Sequence, residues 1–504
     1  MNAAHIETAP PLVVERPERR RQRGLVLRTL VIARHLVALS LGALVAAVDR
    51  TRGGERRIGL RLVAPFTPLL RLFLRKELRR ATLAVHLRRR FELLGPTFVK
   101  LGQLLSLRRD LLSREICDEL GHLLDDVPAI PYDDFAALIE EALGRPVPKM
   151  FAWIESRPLG SASIAQTHRA ATVEGDSVIV KAVKPGIEKI LRRDVRLLRL
   201  FSRPLDLVWR RYRPRRALLE LSDYLLREVD LESEAAHAEI FAANFRQEND
   251  VVFPRIFHRY SCRSVLTMSF LPGRKPTLEL AASLPAAERD RIVDLGASAI
   301  IGMIYRDGFF HADLHPANLL VMPGPKAGFI DLGMVGRLDE SLRRTLLYYV
   351  YSLVTHDPDG AARHLTQAAE PLPGADTESF RRALAEINRR WQAASGRDGA
   401  SLGYLVLASV ELAGRYRMTF PLEMTLMVKA LVTYESVGQL MKPHFDVAQV
   451  ARRHVRGVLL DQLSPNRILH GSPEWLEALV QAPQLISGVR QLLEQTTKQS
   501  GENP

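Results

Sequence analysis

The chain has 504 residues, of which 47% are hydrophobic and 25% charged, so its length fits one large two-lobed domain with extensions and an ample hydrophobic core. Its two cysteines, Cys117 and Cys262, are far apart and lack metal-ligand spacing, which excludes a disulfide framework and indicates a reducing compartment. The formal net charge of +14 indicates an acidic partner surface, either a membrane or a nucleic acid.

The excess positive charge lies at the N-terminus, because residues 1–100 contain 21 Lys or Arg against 7 Asp or Glu. Among these arginines lies a largely apolar segment, 25–48, whose uninterrupted part, 36–48, is shorter than the roughly 20 residues that cross a bilayer. We therefore predict that residues 1–80 form a basic region with a helix in the interface of an anionic membrane, and we expect no nucleic-acid partner. A spanning helix that tolerates Arg34 is the more costly alternative.

A turn rich in small residues, 158–168, precedes the segment Val178-Ile-Val-Lys181, which has the form of a half-buried strand ending in a lysine. Small side chains let a backbone approach phosphate groups closely, and serine hydroxyls add hydrogen-bond donors. Such turns are common, but this one lies 18 residues before the lysine, where a strand-turn-strand cover over a nucleotide would belong. The candidate nucleotide-binding residues here are Gly160, Ser161, Ala162, Ser163 and Lys181.

A strand lysine that contacts nucleotide phosphates needs a carboxylate to hold it. The candidate partner of Lys181 is Glu234, within a stretch, 226–236, that we predict to be helical because it contains good helix formers and no Pro or Gly. Glu228 and Asp230 precede Glu234 on the same stretch, and Glu228 is the alternative partner. A solvated helix face explains any one of these glutamates alone, whereas the joint pattern with Lys181 favours an ion pair.

The segment 266–273 resembles a β-strand that ends in a Pro-Gly turn. A kinase hinge would pass the adenine at this point, with backbone groups of roughly Met268 to Phe270 in reach. An ordinary boundary between a strand and a loop gives the same pattern.

The most informative motifs are His311-Ala-Asp313-Leu-His-Pro-Ala-Asn318 and, thirteen residues later, Asp331-Leu-Gly333. This spacing is typical of the catalytic and metal-binding half of a kinase-like phosphotransferase. Asp313 would face an acceptor hydroxyl or water, while Asn318 and Asp331 would offer oxygen atoms to Mg²⁺. The apolar run at 328–330 predicts a strand that delivers Asp331. The alternative is a set of polar loop residues without a joint role.

Together these features closely resemble the UbiB (AarF) family of atypical kinases, over about residues 85–445. A segment at 421–431 that contains Lys429 also looks like the C-terminal lobe of the family. Four motifs carry the resemblance: Lys100-Leu-Gly102-Gln103, the small-residue loop ending Ser163-Ile-Ala-Gln166, Glu228-Val-Asp230, and the loop at 311–318.

The resemblance implies an α+β, two-lobed protein kinase-like fold with a helical N-terminal extension and a mostly helical C-lobe, using ATP and Mg²⁺. The implied segments are a helical extension at 81–145 that begins with a helix at 83–94, an N-lobe at 146–270, a C-lobe at 271–450 and a tail at 451–504. In the family, the helix bearing the Lys-x-Gly-Gln motif folds over the peptide site of a protein kinase. The resemblance therefore implies gating by four residues, with Lys100 and Gln103 facing Glu228 and Asp230.

Two departures from the family pattern modify these expectations. Gly160 stands in a loop that is usually alanine-rich, so we expect a nucleotide affinity or selectivity that differs from the family norm. Many bacterial members end in two spanning helices, whereas residues 471–504 contain charges and no long apolar run, so we expect no attachment of that kind.

The leading hypothesis is an atypical kinase or ATPase in which Asp313, Lys181 and Glu234 are catalytic. The expected substrate is a small lipid-like or quinone-precursor molecule, in support of ubiquinone or prenyl-lipid biosynthesis. We expect lipid-biosynthesis proteins as partners and the cytoplasmic side of a bacterial inner membrane as the location. An aminoglycoside- or choline-type kinase shares the Asp and Asn loop but not the gating motifs, and a nucleotide-gated pseudokinase scaffold is the alternative from another class.

Overall fold

The computed structural model describes most of the chain, in two compact units that lie within residues 1–94 and 95–504. The predicted tail, 451–504, and most arginines of the predicted basic region, 1–80, lie outside the described residues. The described ranges are 24–51, 81–123, 128–208, 214–394 and 401–443, with the single residues 445, 447 and 450.

The described residues of the first unit form two helices that pack against each other, α1 (Leu25–Thr51) and α2 (Leu83–Leu94). Gly42 of α1 lies under the His86 ring of α2, where a Cβ atom would meet the ring at 2.8 Å, so a glycine permits this close packing. The Arg28 guanidinium donates a hydrogen bond of 2.7 Å to the Leu94 carbonyl. The bounds of α2 are those predicted for the first helix of the extension.

Helix α1 runs without a break through Arg34, so the charge that interrupts the apolar segment does not end the helix. Its first 18 residues, Leu25–Gly42, have a mean hydropathy of 1.6 and are apolar enough, over a sufficient length, to cross a membrane. Length and composition alone support this property, and they do not separate a spanning helix from an interfacial one.

The second unit begins with three helices, α3 (Pro96–Leu105), α4 (Arg114–Leu120) and α5 (Tyr132–Leu143). Pro96 occupies the first turn of α3, where a missing N–H has no cost, and Gly95 before it has a φ of 95°. Helix α5 ends at Gly144, whose left-handed φ of 66° closes the last turn.

The strands up to residue 270 are β1 (Phe151–Ile154), β2 (Gly160–Ser161), β3 (Ala165–Thr172), β4 (Ser177–Val183), β5 (Val251–Val252) and β6 (Val265–Ser269). All except β5 form one antiparallel sheet in the order β1-β3-β4-β6, with β2 paired to β3. Val178, Val180 and Ala182 of β4 face a core that α5 covers with Phe135 and Ile139. Because side chains alternate along a strand, Lys181 lies on the opposite face.

Between β4 and β5 the described residues form three helices: α6 (Ile187–Val208), α7 (Pro214–Arg227) and α8 (Leu231–Asn244). The prediction of one helix over 226–236 is therefore wrong. Asp230 stands at the N-cap of α8 with an extended backbone, and Glu232 and Glu234 occupy the first helical turn. Acidic residues in the first turn favour a helix start through the helix dipole, and the Leu231 N–H donates to the Arg263 carbonyl at 3.0 Å, so a tertiary contact rather than a side-chain cap accompanies the break.

The rest of the unit is mostly helical, as predicted, which confirms the α+β, kinase-like fold class. The helices are α9 (Leu278–Ser283), α10 (Ala286–Ile301), α11 (Glu340–Val354), α12 (Pro358–Gln367), α13 (Thr377–Ala394), α14 (Leu402–Arg415) and α15 (Leu422–Met441). The short strands are β7 (Phe309–His311), β8 (Leu319–Met322), β9 (Lys326–Phe329), β10 (Val335–Arg337), β11 (Glu370–Pro371) and β12 (Met418–Thr419). The apolar strand predicted before Asp331 is present as β9.

Candidate active site

Two short strand pairs bring the His-Ala-Asp loop and the Asp-Leu-Gly turn together. Strand β7 pairs with β10, which places His311 opposite Val335. The His311 Nε2–H donates to the Ile330 carbonyl at 3.2 Å, and its Nδ1 accepts from the Asp313 N–H at 3.1 Å. Burial lowers the pKa of His311, so its ring is neutral and links the two loops as both a donor and an acceptor.

Asp313 is held on both of its carboxylate oxygens. The Lys429 ammonium lies 2.8 Å from Oδ1, and the Asn318 amide donates to Oδ2 at 3.3 Å and to the Asp313 carbonyl at 3.0 Å. Burial alone would raise the pKa of Asp313, but the charge and hydrogen bond of Lys429 hold this pKa below its ordinary value. The carboxylate is therefore ionised at neutral pH.

Lys181 bridges two carboxylates on the far side of the sheet from the core. Its Nζ lies 2.9 and 2.8 Å from the two Glu234 oxygens and 2.8 Å from Asp331 Oδ1. Burial would lower the pKa of Lys181, yet Asp331 and Glu234 raise this pKa above its ordinary value. The structure thus brings the predicted pair Lys181 and Glu234 into contact.

The two carboxylates that share Lys181 have pKa values displaced in opposite directions. Burial raises the pKa of Glu234, to about 6, against the lowering influence of Lys181. The charge of Lys181 lowers the pKa of Asp331, to about 2. Asp331 is also 52% exposed, whereas Glu234 is 6% exposed, so Asp331 remains an ionised carboxylate that a ligand can reach.

The Asp-Leu-Gly turn begins with a residue in a left-handed backbone conformation. Asp331 has a φ of 55°, a left-handed conformation that is uncommon outside glycine and concentrates at functional sites. A Cβ atom on Gly333 would lie 3.3 Å from Glu234 Oε2, so the glycine lets the turn pass close to the carboxylate that holds Lys181. His237 donates from Nδ1 to the Leu332 carbonyl at 3.0 Å and anchors the turn to α8.

Of the four predicted gating residues, two pair with each other and two have partners outside the set. Lys100 of α3 lies 3.0 Å from Glu228, and these side chains are 15% and 14% exposed. Gln103 instead donates from Nε2 to the Leu123 carbonyl at 3.0 Å, and Asp230 has Arg263 at 3.6 Å. The structure joins one lysine to one glutamate, and the gating role of the four residues stays a prediction.

The small-residue turn between β2 and β3 has an exposed part and a buried part. Gly160 and Ala162 are exposed, whereas Ser163 is 2% exposed and the Ala162 N–H already donates to the Ala165 carbonyl at 2.9 Å. Gly160 lies in β2 opposite Thr167, outside the left-handed region. Gly160 therefore adopts no left-handed conformation, and its distinctive feature is a tight Cβ position, 3.3 Å from Thr167 Oγ1. The expected difference in nucleotide affinity or selectivity stays a prediction.

The predicted adenine-binding segment is part of the sheet. Met268 pairs with Ile179, and the N–H groups of Ser269 and Phe270 donate to the carbonyls of Arg255 at 2.8 Å and Ser177 at 3.0 Å. These two N–H groups are committed to strand pairing, so they do not serve an adenine ring. The reach of an adenine to backbone groups from Met268 to Phe270 stays a prediction, and these two N–H groups take no part in it.

Comparison with known proteins places this chain in a family. Residues 122–365 match the ABC1 atypical kinase-like domain, and residues 399–446 match the UbiB helical domain. A probable protein kinase UbiB from Marinobacter nauticus is 31% identical over 412 residues, 79% of this chain and 75% of that protein. The chain belongs to the UbiB family. The aminoglycoside- or choline-type alternative is therefore set aside.

Further relatives within the UbiB family come from bacteria and plants. A probable protein kinase UbiB from Azotobacter vinelandii is 32% identical, covering 82% of this chain and 78% of that protein. Protein ACTIVITY OF BC1 COMPLEX KINASE 7, chloroplastic, from Arabidopsis thaliana is 31% identical, covering 76% of this chain and 56% of that protein. The solved complex structure of Rv3197-erythromycin from Mycobacterium tuberculosis has a TM-score of 0.50 at 20% identity, covering 72% of this chain and 91% of that chain, which is a likeness of fold alone.

The donor atoms around Asp331 fit a magnesium ion that bound phosphates complete. Within the described residues, no group of three or more His, Cys, Asp or Glu side chains gathers into a metal cluster. Mg²⁺ with a nucleotide needs only one or two protein ligands. Asn318 uses its amide nitrogen on Asp313, which leaves its carboxamide oxygen for a metal, and the second oxygen of Asp331 is the matching donor.

Sequence reasoning gave no role to three residues that the structure places at the site or its supports. Lys429 lies between the apolar residues Val428 and Ala430, which are buried in the structure. A lysine among apolar residues of a helix is the sequence signal that could have identified it, because a lysine is rarely buried without a partner. Gln166 is fully buried, accepts from the Ile130 N–H at 2.8 Å and donates to the Ile130 carbonyl at 3.2 Å, so it ties the turn to the helical extension. Tyr224 of α7 has a buried hydroxyl whose pKa is raised by burial and by the charges of Glu228 and Asp313.

Proposed function

We propose that this UbiB-family protein binds ATP with Mg²⁺ and cleaves the terminal phosphoryl bond of ATP, with Asp313 as the general base. The observation that carries the proposal is the Lys181 ammonium, which lies 2.8 Å from both Glu234 and Asp331. This placement lets Glu234 orient the lysine toward the α- and β-phosphates while Asp331 faces the metal.

Asp313 has the properties that a general base requires. It is ionised, its backbone is fixed by His311, and its two oxygens are oriented by Lys429 and Asn318. A base in this position accepts the proton of an attacking hydroxyl or water. Bound Mg-ATP would supply the phosphoryl group and a metal charge to offset that of the phosphates. Asn318 and Asp331 would hold that metal through oxygen atoms.

The half-buried Lys100–Glu228 ion pair supports a small acceptor. It fixes α3 to the connection between α7 and α8, next to the carboxylates of the site. A protein substrate would have to displace this contact, whereas water or a small lipid-like or quinone-precursor molecule would not. Relatives named UbiB support a role in ubiquinone or prenyl-lipid biosynthesis, and lipid-biosynthesis proteins would be the partners in that role.

The apolar face of α1 supports a membrane location. Leu25, Val26, Leu30 and Val37 are 54%, 75%, 61% and 60% exposed, and the surrounding sequence is strongly basic. A helix of this kind binds anionic lipid by apolar burial and by attraction of its flanking charges. We place the protein on the cytoplasmic side of a bacterial inner membrane, where ATP is available.

Calorimetric titration of Mg-ATP into wild type and Asp331→Asn tests nucleotide binding. We expect measurable affinity that requires Mg²⁺, and a loss of more than about tenfold, or about 1.4 kcal/mol, in the variant. Asp290→Asn, whose side chain is 51% exposed, is the matched control and should bind as wild type does. Unchanged affinity in Asp331→Asn would remove that residue from the metal site.

Turnover is tested with ATP labelled in its terminal phosphate, with and without anionic liposomes and a quinone-like lipid. Label released as inorganic phosphate identifies an ATPase, and label in the lipid fraction identifies a lipid kinase. Either result requires Asp313, so Asp313→Asn should lower turnover by roughly 10²- to 10⁴-fold, to a residual rate that can still be measured, and should still bind nucleotide. Binding without any turnover would favour a nucleotide-gated scaffold instead.

A further inference from the structure

The lysine that holds the proposed base comes from a distant part of the chain. Lys429 Nζ lies 2.8 Å from Asp313 Oδ1 and 3.7 Å from Met334 Sδ, and the two residues of the ion pair are 25% and 32% exposed. Asp313 lies within the match to the kinase-like domain, whereas Lys429 lies within the match to the UbiB helical domain at 399–446. The helical region therefore reaches into the site rather than only packing behind it.

Helix α15 presents this lysine from a rigid support. Residues 424–428 before the lysine, and Ala430 and Leu431 after it, are buried. The Tyr434 hydroxyl donates to the Val293 carbonyl of α10 at 2.7 Å, and a Cβ atom on Gly438 would collide with the Phe445 ring. A charged group on a fixed helix loses less conformational entropy when it forms an ion pair than one on a loop does.

The charges of the site show why such a lysine is needed. Four carboxylates of the site have lysine partners: Glu228 has Lys100, Glu234 and Asp331 share Lys181, and Asp313 has Lys429. A polyphosphate beside Asp331 would add further negative charge, and like charges repel strongly where water is scarce. Asn318 orients Asp313 but is neutral, so it does not offset this repulsion.

We propose that Lys429 is a positioning residue for the phosphotransfer reaction, contributed by the C-terminal helical region, that holds the Asp313 carboxylate in place against the negative charge of the bound polyphosphate. This inference rests on the proposed function and deepens it. Lys429 acts through Asp313, so its loss should reduce turnover without removing the nucleotide contacts that Lys181 and Asp331 make.

The test compares Lys429→Met and Lys429→Arg with wild type in the full-length protein. We expect Lys429→Met to lower kcat for ATP cleavage by at least about tenfold, and by no more than the roughly 10²- to 10⁴-fold that a positioned base contributes. The Kd for Mg-ATP should change by less than about threefold, because binding and turnover separate when only a catalytic geometry is lost. Lys429→Arg should restore part of kcat, since it keeps the charge.

Lys442→Met is the control, because Lys442 caps the same helix and pairs with Asp290 at 3.3 Å outside the site. It should leave kcat unchanged. Thermal unfolding of each variant identifies any that fail to fold. The double variant Asp313→Asn with Lys429→Met should be no slower than Asp313→Asn alone, because the lysine has nothing left to position.

The outcomes separate this inference from the proposed function. If wild type shows no Mg²⁺-dependent turnover, the proposed function fails and the inference fails with it. If wild type turns over and folded Lys429→Met keeps its kcat, or loses Mg-ATP affinity by more than about threefold, the proposed function stands and the inference is overturned. An additive double variant would overturn it as well, because Lys429 would then act independently of Asp313.

Discussion

Lys100 and Glu228 form an ion pair of 3.0 Å although the first belongs to α3 and the second follows the end of α7. Glu228 lies six residues before Glu234, the carboxylate that holds Lys181. The contact that secures α3 and the contact that positions the nucleotide lysine therefore share one short stretch of backbone. A displacement of α3 would pull on the start of α8.

The first prediction concerns this contact. We expect intact protein to phosphorylate generic protein substrates very weakly, and Lys100→Met to increase that activity severalfold because α3 is released. The variant should also lose about 1.5–3 kcal/mol of unfolding free energy, the usual contribution of a hydrogen bond to a charged group. Phosphate transfer to a generic peptide and urea denaturation measure the two effects, with the exposed Lys149→Met as control. Robust peptide phosphorylation by wild type would show that the Lys100–Glu228 contact does not block protein substrates.

A double-mutant cycle decides which glutamate holds Lys181. Because Glu234 contacts Nζ with both oxygens, we expect Lys181→Met and Glu234→Gln to be coupled in Mg-ATP affinity by about 0.5–3 kcal/mol. The same cycle with Glu228→Gln should be nearly additive, since Glu228 has Lys100 as its partner. Calorimetry on the six proteins gives both coupling energies. Coupling to Glu228 and none to Glu234 would reverse the assignment.

The site shows which contacts a linear sequence predicts and which it does not. The spacing of Lys181, Asp313 and Asp331 is typical of a kinase-like site, so the sequence predicts that these three residues lie near one another. The contact of Asp313 with Lys429 spans 116 residues and depends on how α15 packs, which no local pattern records. The helix break before Leu231 coincides with a hydrogen bond from the Leu231 N–H to the Arg263 carbonyl, a contact between distant residues that local helix propensity does not record.

The hinge segment illustrates a different limit. A strand pattern identifies Met268 and Phe270 as neighbours of a turn, but it does not say which backbone groups other strands occupy. The Phe270 N–H donates to Ser177 because β6 pairs with β4 in one particular register. Pairing register depends on both strands, so the groups left for a ligand become visible only in the folded sheet.

The raised pKa of Glu234 predicts a specific pH dependence of stability. Its folded pKa of about 6 exceeds its ordinary value of 4.5, so the folded state binds the proton more tightly. The stability that this group contributes is present below pH 4.5 and is lost as pH rises through about 6. Urea denaturation of wild type and Glu234→Gln between pH 4 and pH 8 measures the difference.

In that experiment, the unfolding free energy of wild type should fall relative to Glu234→Gln as pH rises across the window from 4.5 to 6. Glu232→Gln, an exposed position in the same helical turn, should run parallel to wild type. A difference between wild type and Glu234→Gln that stays constant with pH would show that burial does not perturb this carboxyl group.

The last prediction concerns membrane attachment through α1. We expect Leu30→Glu and Val37→Glu, both at exposed apolar positions of α1, to reduce co-sedimentation with anionic liposomes severalfold. Leu278→Glu, at an equally exposed apolar position of α9, should bind as wild type does. Each basic residue near such a surface contributes about 1 kcal/mol, and the attraction fades beyond a Debye length. An interfacial helix should therefore be released as salt rises, whereas a spanning helix should stay bound. Equal binding by a protein that lacks residues 1–62 would place the attachment elsewhere in the chain.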